Sequence, residues 1–526
     1  MLRRPLQLLA RGVEDLAIMR RAGLLRPVGP AQLLALGRTA AAWGLSPAAA
    51  YPTAAAVAPD GVAIIDDAGE WTFGDIERRS NSVARGLAAF GVGEQSRVGL
   101  LARNHHEFVE VSAAAWKLGA RSVYLNTSFA RPQVREVIRR EEIDVVVYDA
   151  EFADLVKGLP RQVRRVAGAA ELIAGRDGSS VKPPRRAGSA VILTSGTTGA
   201  PKGAQRSLAT SIDPALALLS RIPLRAEEPT LIAAPLFHAW GFAHLVMSFL
   251  LQSTLVLQSR FDAEQALAAI ERHRVTALVA VPVMLQRIME LPARTRRRYD
   301  TTSLRVVAVS GSALAPRLAH RFMDAFGDVL YNLYGSTEVA WAAIATPAEL
   351  RAHPDTAGRP PRGTIVHIYR EDGSLAEPGE TGQIFVGSEL LFEGYTGGGS
   401  KEKRDGLMTT GDLGHFDAAG LLFVEGRSDD MIVSGGENVY PGEVEEVIAR
   451  LPAVAEAAVV GVPDADFGQA LRAFVVKRRG AKLTEDEVRA HVRALLARYK
   501  VPKSVVFVDD LPRNATGKVV RRELTA

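Results

Sequence analysis

Short apolar runs recur along the chain between longer stretches in which apolar residues return every three or four positions. The runs Arg97 to Leu101, Ser122 to Leu125, Asp144 to Tyr148, Thr276 to Val281 and Leu304 to Val309 are rich in β-branched residues and predict strands. Val145-Val146-Val147, followed by Tyr148, is continuously apolar rather than alternating, as expected of a parallel strand covered by helices on both faces. The pattern predicts an α/β fold with at least one stacked sheet flanked by helices.

Two breaks divide this pattern. From Gly175 to Ser189 the chain turns to Gly, Ser, Pro and Arg. The apolar run Ala190 to Leu193 then ends abruptly in Thr194-Ser195-Gly196-Thr197-Thr198-Gly199-Ala200-Pro201-Lys202-Gly203, a strand followed by a polar loop. A second break lies near Gly426 and Arg427. Beyond it come two further strands, Ala457 to Val462 and Ala473 to Val476, and a helix around Glu485 to Arg498. The expected organisation is an N-terminal helical extension (1–50), a large domain (51–426) and a small α+β domain (427–526).

In the extension, Leu6, Leu9, Val13 and Leu16 recur at helical spacing beside Arg3, Arg4, Arg11, Arg20 and Arg21. The expected arrangement is a helix with this apolar stripe packed on the enzyme body. The alternative is weak peripheral contact with an anionic membrane surface. No run of eighteen uncharged apolar residues and no signal-peptide pattern is present, so a cytoplasmic protein is expected, the alternative placing it against the inner face of the membrane.

Composition narrows the chemistry. The 526 residues are 47% hydrophobic and 23% charged, which fits a globular protein of more than one structural unit. The net charge of +5 is spread along the chain among acids, so nucleic-acid binding does not follow, whereas handling of polyphosphates and carboxylates is compatible with it. With no cysteine, the chain has no disulfide, no thiolate metal site and no cysteine nucleophile, so any acyl transfer to sulfur uses an external thiol. Assembly as a monomer or a homodimer is left open.

The Thr194 to Gly203 loop places hydroxyls, glycines and one lysine after a strand, so backbone N–H groups and side-chain donors can wrap a polyphosphate. It is not a P-loop, because Lys202 is followed by Gly203 rather than Ser or Thr. The segment resembles the signature loop of the adenylate-forming superfamily, which includes acyl-CoA synthetases, peptide-synthetase adenylation domains and firefly luciferase. The likeness continues in the family's order through Tyr334-Gly335-Ser336-Thr337-Glu338, Thr410-Gly411-Asp412, Gly426-Arg427-Ser428-Asp429-Asp430 and Pro512-Arg513-Asn514-Ala515-Thr516-Gly517-Lys518, from about residue 50 onward.

The resemblance implies a large domain of stacked sheets with a β-barrel-like subdomain, a small mobile C-terminal domain, and a role for each matched residue. Thr194, Ser195, Gly196, Thr197, Thr198, Gly199 and Lys202 close over the β- and γ-phosphates, with Thr194 also counted among the catalytic residues. Gly335 and Ser336 belong to the nucleotide motif, Thr337 meets the α-phosphate, and Glu338 holds Mg²⁺, a hard cation suited to a carboxylate. Tyr334 lies on one adenine face with Gly311, Ser312 and Ala313 on the other and Asn332 near the exocyclic amine, while Asp412 and Arg427 take the ribose hydroxyls.

Lys518 is expected to be the catalytic cation of adenylation and Asp429 the hinge. Ser434, Gly435 and Gly436 are expected beside a channel for coenzyme A, and His238 at the carboxylate. Trp240, Phe242 and Val281-Pro282-Val283 give the acid pocket an apolar lining, which favours a fatty or aryl acid. Leu407 and Met408 replace the aromatic pair usual before Thr-Gly-Asp and are expected to loosen the ribose site.

The implied reaction is that of an ATP-, Mg²⁺- and coenzyme A-dependent ligase, most like bacterial medium- and long-chain fatty-acyl-CoA ligases. The nearest variants are an aryl-CoA ligase and an acyl-AMP ligase serving a carrier protein, though the inserted segment usual in the latter is not seen. A peptide-synthetase module is disfavoured because no carrier domain follows, and luciferase-like oxygenation is not required by any residue. A non-catalytic nucleotide-binding protein is the alternative from another class, and retention of both Lys202 and Lys518 argues against it.

Overall fold

The computed structural model describes residues 3–27, 29–44, 46–194, 202–206, 211–427, 431–512 and 519–524. Two largely parallel sheets form the centre of the large domain. In the first, Lys202–Arg206, Ser189–Thr194, Arg121–Tyr124, Arg97–Leu101, Val145–Tyr148 and Arg164–Ala167 lie side by side, with Gly394–Tyr395 at one edge. Only the pairings of Lys202–Arg206 with its two neighbours are antiparallel. Val145, Val146 and Val147 are at most 2% exposed, as their continuous apolar run requires.

The second sheet has the order Ala340–Ala345, Leu330–Ser336, Val306–Val309, Ala277–Ala280, Thr230–Ile232, Leu255–Leu257, Val62–Asp66, Gly69–Thr72. It is parallel except for a hairpin at each edge. A third, antiparallel sheet runs through Thr356–Gly358, Leu422–Arg427, Leu407–Phe416, Gly382–Gly387 and Ile365–Tyr369. This is the subdomain expected to be barrel-like, and among the described residues its pairing order does not close on itself. Leu407 and Met408, expected to loosen the site, are buried in it beside Phe385 and Ile384 respectively, so they serve packing.

The small domain is a separate sheet of Glu437–Val439, Ile432–Ser434, Gly468–Lys477 and Val454–Asp464, with Ser504–Val508 parallel to Gly468–Lys477. Helices Pro441–Ala449 and Glu485–Leu495 pack beside it. Thr484 starts the second helix by accepting from the Glu487 backbone while Glu487 reaches back to Thr484, a reciprocal cap. The domain is anchored on the large one through Ala497, fully buried in the cluster of Leu101, Val134 and Val191.

The N-terminal helix Arg3–Arg21 packs on the body, but not by Val13 and Leu16 of the stripe the sequence singled out, the side chains of Leu6 and Leu9 lying outside the described residues. Val13 and Leu16 are 68% and 56% exposed, whereas Ile18 and Ala22 are buried. Ion pairs tie the same helix to the body: Arg11 meets Asp213, and Asp15 meets the buried Arg362, which also pairs with Asp213 at 2.9 Å. Among the described residues, no helix is long and apolar enough to cross a membrane.

Candidate active site

The C-terminal ends of the parallel strands in the second sheet open onto one cavity of about 1370 Å³. Strand Val306–Val309 ends in Ser310-Gly311-Ser312-Ala313, and the turn is made possible by Gly311 at φ +98°. The adjacent strand Leu330–Ser336 carries Asn332, Tyr334, Gly335 and Ser336 and returns as Ala340–Ala345. A Cβ at position 335 would stand 1.8 Å from the Ala340 carbonyl oxygen, so glycine is required for the hairpin itself. All of these residues, with Thr337, line the cavity.

Tyr334 is held by donating its hydroxyl to Asp412, and Asp412 forms an ion pair with Arg427 at 2.8 Å across neighbouring strands. Burial, reinforced by the Asp412 charge, pushes the Tyr334 hydroxyl well above its ordinary value, so it stays a donor. The Asn332 side-chain oxygen is buried and accepts no hydrogen bond. A buried carbonyl without a donor is costly, and an incoming amine would remove that cost. Residues expected at adenine and ribose are thus brought together around one orphaned acceptor.

Glu338 is 7% exposed and accepts from Ser336 at 2.9 Å and from the Tyr395 hydroxyl at 3.0 Å. Lys202 places its ammonium 5.4 Å from the Tyr395 ring centre, and Thr194 donates to the Lys202 carbonyl at 3.2 Å. The phosphate-loop ends therefore sit beside the acid expected to hold Mg²⁺. Sequence reasoning missed Tyr395, which joins the two. Its only signal was an aromatic residue just before the glycine-rich patch at 397–399. One buried carboxylate, with no cluster of three or more ligating side chains among the described residues, fits Mg²⁺, which takes one or two carboxylates and completes its shell with phosphate and water.

On the other side of the cavity, helix Ala239–Leu250 begins at His238. Trp240 is fixed by donating its indole N–H to the Ala280 carbonyl at 3.1 Å, and Phe242 packs on Trp116 and Tyr124. Val281 faces the cavity between them and Gly311, while Val283 lies outside it. His238 Nε2 is 2.8 Å from Glu437 of the small domain, and Asn126 donates to the same Glu437 oxygen at 2.9 Å. Burial alone favours a neutral ring, but the Glu437 charge and hydrogen bond outweigh it and raise the His238 pKa. Burial likewise opposes the Glu437 charge, yet His238 and Asn126 together lower that carboxyl below its usual value.

The small domain thereby inserts the loop between Ile432–Ser434 and Glu437–Val439 into the site. Gly436, at φ +90°, lines the cavity, and a Cβ there would be 3.7 Å from the Gly311 carbonyl oxygen. Ser434 is buried in the small sheet and Gly435 turns against Phe467, so of the three residues expected at the coenzyme channel only Gly436 faces the cavity. Ser195, Gly196, Thr197, Thr198, Gly199, the expected hinge Asp429 and the expected catalytic Lys518 lie outside the described residues.

The sequence profile of the AMP-binding enzymes matches residues 51–396, and that of the AMP-binding enzyme C-terminal domain matches residues 443–518. A feruloyl-CoA synthase of an Amycolatopsis species is 35% identical over 92% of this chain and 97% of its own length. An indoleacetate–CoA ligase of Aromatoleum aromaticum is 34% identical over 83% and 89%. Among solved structures, a double mutant of o-succinylbenzoate CoA synthetase from Bacillus subtilis bound to its product analogue OSB-NCoA superposes with a TM-score of 0.82, at 29% identity over 90% of this chain and 98% of that one. The same enzyme with the acyl-adenylate OSB-AMP gives 0.67, at 29% identity over 91% and 98%.

Proposed function

Since this chain belongs to the AMP-binding enzymes, we propose that it is an acid–thiol ligase, joining an apolar carboxylic acid to coenzyme A through an acyl-adenylate. The supporting observation is that one cavity is lined both by the Tyr334, Asp412 and Arg427 group with its orphaned Asn332 and by an apolar helix, with Gly436 between them. A nucleotide and an acid bound there share a common centre, which is what carboxylate attack on an α-phosphate needs.

ATP, Mg²⁺ and coenzyme A are the required small molecules. In the first step a carboxylate oxygen attacks the α-phosphorus and pyrophosphate leaves. Such transfers depend on positioning and on stabilising the equatorial and leaving oxygens. In this reading Tyr334 and Asn332 orient adenine, Asp412 and Arg427 the ribose, and Lys202 and Thr337 the phosphates, with Lys518 supplying a cation to the developing charge. Glu338, held by Ser336 and Tyr395, would hold Mg²⁺, which neutralises phosphate charge when bound.

In the second step the thiol attacks the adenylate carbonyl and AMP leaves. The orientation with Gly436 in the cavity suits this step, because a residue without a side chain leaves room for a narrow thiol arm. The higher TM-score with the product-analogue complex than with the adenylate complex of one enzyme supports the same assignment. Adenylation then requires the small domain to turn, with Asp429 as the proposed hinge.

The activities named for the two relatives above concern aryl and arylacetic acids and do not single out a fatty substrate. They favour the wider reading, an acid with an apolar body. The test is release of AMP and pyrophosphate from Mg-ATP with a panel of aryl and fatty acids, with and without coenzyme A. AMP appearing together with a thioester is expected. Pyrophosphate with tightly bound acyl-AMP and no thioester would replace coenzyme A by a carrier protein, and no turnover with any acid would remove the ligase reading.

A further inference from the structure

The acid side of the cavity is much longer than the carboxylate end requires. Along helix Ala239–Leu250, Ala239, Ala243, Val246 and Leu250 line the cavity and retain exposure, whereas most of their neighbours on the helix are buried. Their spacing of four, three and four residues makes one continuous stripe. Ala239 and Leu250 are about 16 Å apart along the axis at roughly 1.5 Å per residue. The stripe is apolar throughout, and its far half is small or aliphatic.

A further part of the lining comes from the segment that precedes the first strand. Leu36, Ala40 and Gly44 fall four residues apart along helix Pro30–Trp43 and its C-terminal cap and line the same cavity, followed by Ala50 and Thr53 of helix Ala50–Val57. Helix Pro30–Trp43 has no buried residue, and Leu33 and Leu34 on its other side are 61% and 57% exposed. It contributes little to the core. The residues it gives to the cavity, Leu36, Ala40 and Gly44, are one leucine and two small residues, which take up little of the space shared with Val246 and Leu250.

We infer that residues 30–44 and 46–53 complete the acid pocket and limit its length, so that the substrate carries a slender apolar tail reaching from His238 along the helix to Leu250. At roughly 1.3 Å per carbon, for a zigzag of bonds near 1.5 Å, the stripe accommodates about twelve carbons. A single ring on a short arm would leave the distal half of the slot unfilled. This inference rests on the ligase reading and adds to it the length of the acid and the part of the chain that measures it.

The test compares kcat/KM for pyrophosphate release with octanoate, dodecanoate, hexadecanoate and cinnamate, in the wild-type enzyme and three variants. Dodecanoate is expected to exceed cinnamate in the wild type. Val246→Trp should lower the dodecanoate-to-octanoate ratio at least about tenfold and Ala40→Phe about threefold, since one or a few methylenes in an apolar pocket discriminate on that scale. Leu36→Ala should raise the hexadecanoate-to-dodecanoate ratio. Each ratio is internal to one preparation, so a loss of folded protein does not imitate a shift.

Turnover of cinnamate without turnover of any of the three fatty acids would overturn the tail while leaving the ligase intact. Fatty-acid turnover whose ratios respond to Val246→Trp but not to Ala40→Phe or Leu36→Ala would overturn the part given to the N-terminal extension. No turnover with any acid would remove the ligase reading and this inference together.

Discussion

His238 of the large domain and Glu437 of the small domain meet at 2.8 Å, with Asn126 completing the acceptor shell of the carboxylate. The pair spans the domain interface beside the cavity that His238 lines, so it exists only while the small domain holds this orientation. Its partners shift each other in opposite directions, His238 upward and Glu437 downward, each against its own burial.

The first prediction concerns Glu437→Gln. It keeps the shape and removes the charge, so thioester formation should slow by about tenfold or more and by a larger factor than adenylation. Single-turnover measurement of acyl-AMP formation and of its consumption by coenzyme A separates the two. Equal slowing of both steps would deny the pair an orientation-specific role.

The same pair sets a pH dependence. Its full contribution is present where His238 is protonated and Glu437 ionised, from above the ordinary Glu value to below the ordinary His value. It is lost as pH rises through the raised His238 pKa, and again as pH falls through the lowered Glu437 pKa. Interdomain distance read by a fluorophore pair should therefore change on alkaline titration in the wild type and stay level in His238→Gln.

Glu338→Gln should cut kcat/KM for Mg-ATP by about a hundredfold, the scale of losing one electrostatic partner of a transfer reaction. Tyr395→Phe removes one donor to Glu338 and should cost about tenfold, in proportion to a hydrogen bond to a charged group. Initial rates against free Mg²⁺ check both, and the glutamine variant should need more Mg²⁺.

Lys518→Ala should abolish adenylation and leave ATP binding largely intact. Isothermal titration with ATP, run beside pyrophosphate release, decides it. Unchanged acyl-AMP formation would strip Lys518 of its assigned role.

Buried His244 gives an acid-stability prediction. Burial lowers its pKa from 6.5 to about 4, only partly countered by its hydrogen bond to the Trp240 carbonyl. Below about pH 6.5 the unfolded chain takes a proton that the folded chain refuses, so stability falls by roughly 3 kcal/mol by about pH 4. Denaturant midpoints at the two pH values should differ less in His244→Leu than in the wild type.

The positions of most strands could be read from the sequence because a doubly covered strand must be apolar on both faces. Arg97–Leu101 begins and ends where its run does, and Ala277–Ala280 and Val306–Val309 fall inside theirs. The nucleotide-site residues were singled out by the family resemblance of consecutive motifs such as Tyr334-Gly335-Ser336-Thr337-Glu338, and the structure brings Asn332, Tyr334, Asp412 and Arg427 to one cavity. Tyr395 was not legible, because its link to Glu338 joins positions 57 residues apart. In the N-terminal helix, Val13 and Leu16 were misread, because periodicity reports an apolar stripe but not the long-range contacts of Ile18, Ala22, Arg11 and Asp15 with the body.

By itself, then, the sequence determined the α/β architecture and the positions of most strands, consequences of short-range periodicity, while its consecutive motifs carried the family resemblance that pointed to the nucleotide site. Only the tertiary structure decided which groups meet across long separations: Glu437 with His238, Tyr395 with Glu338, and Leu36, Ala40 and Gly44 with Val246 and Leu250 around one cavity. Those contacts depend on how whole elements pack, and packing is fixed by the sum of many weak surfaces that no local window of the chain contains.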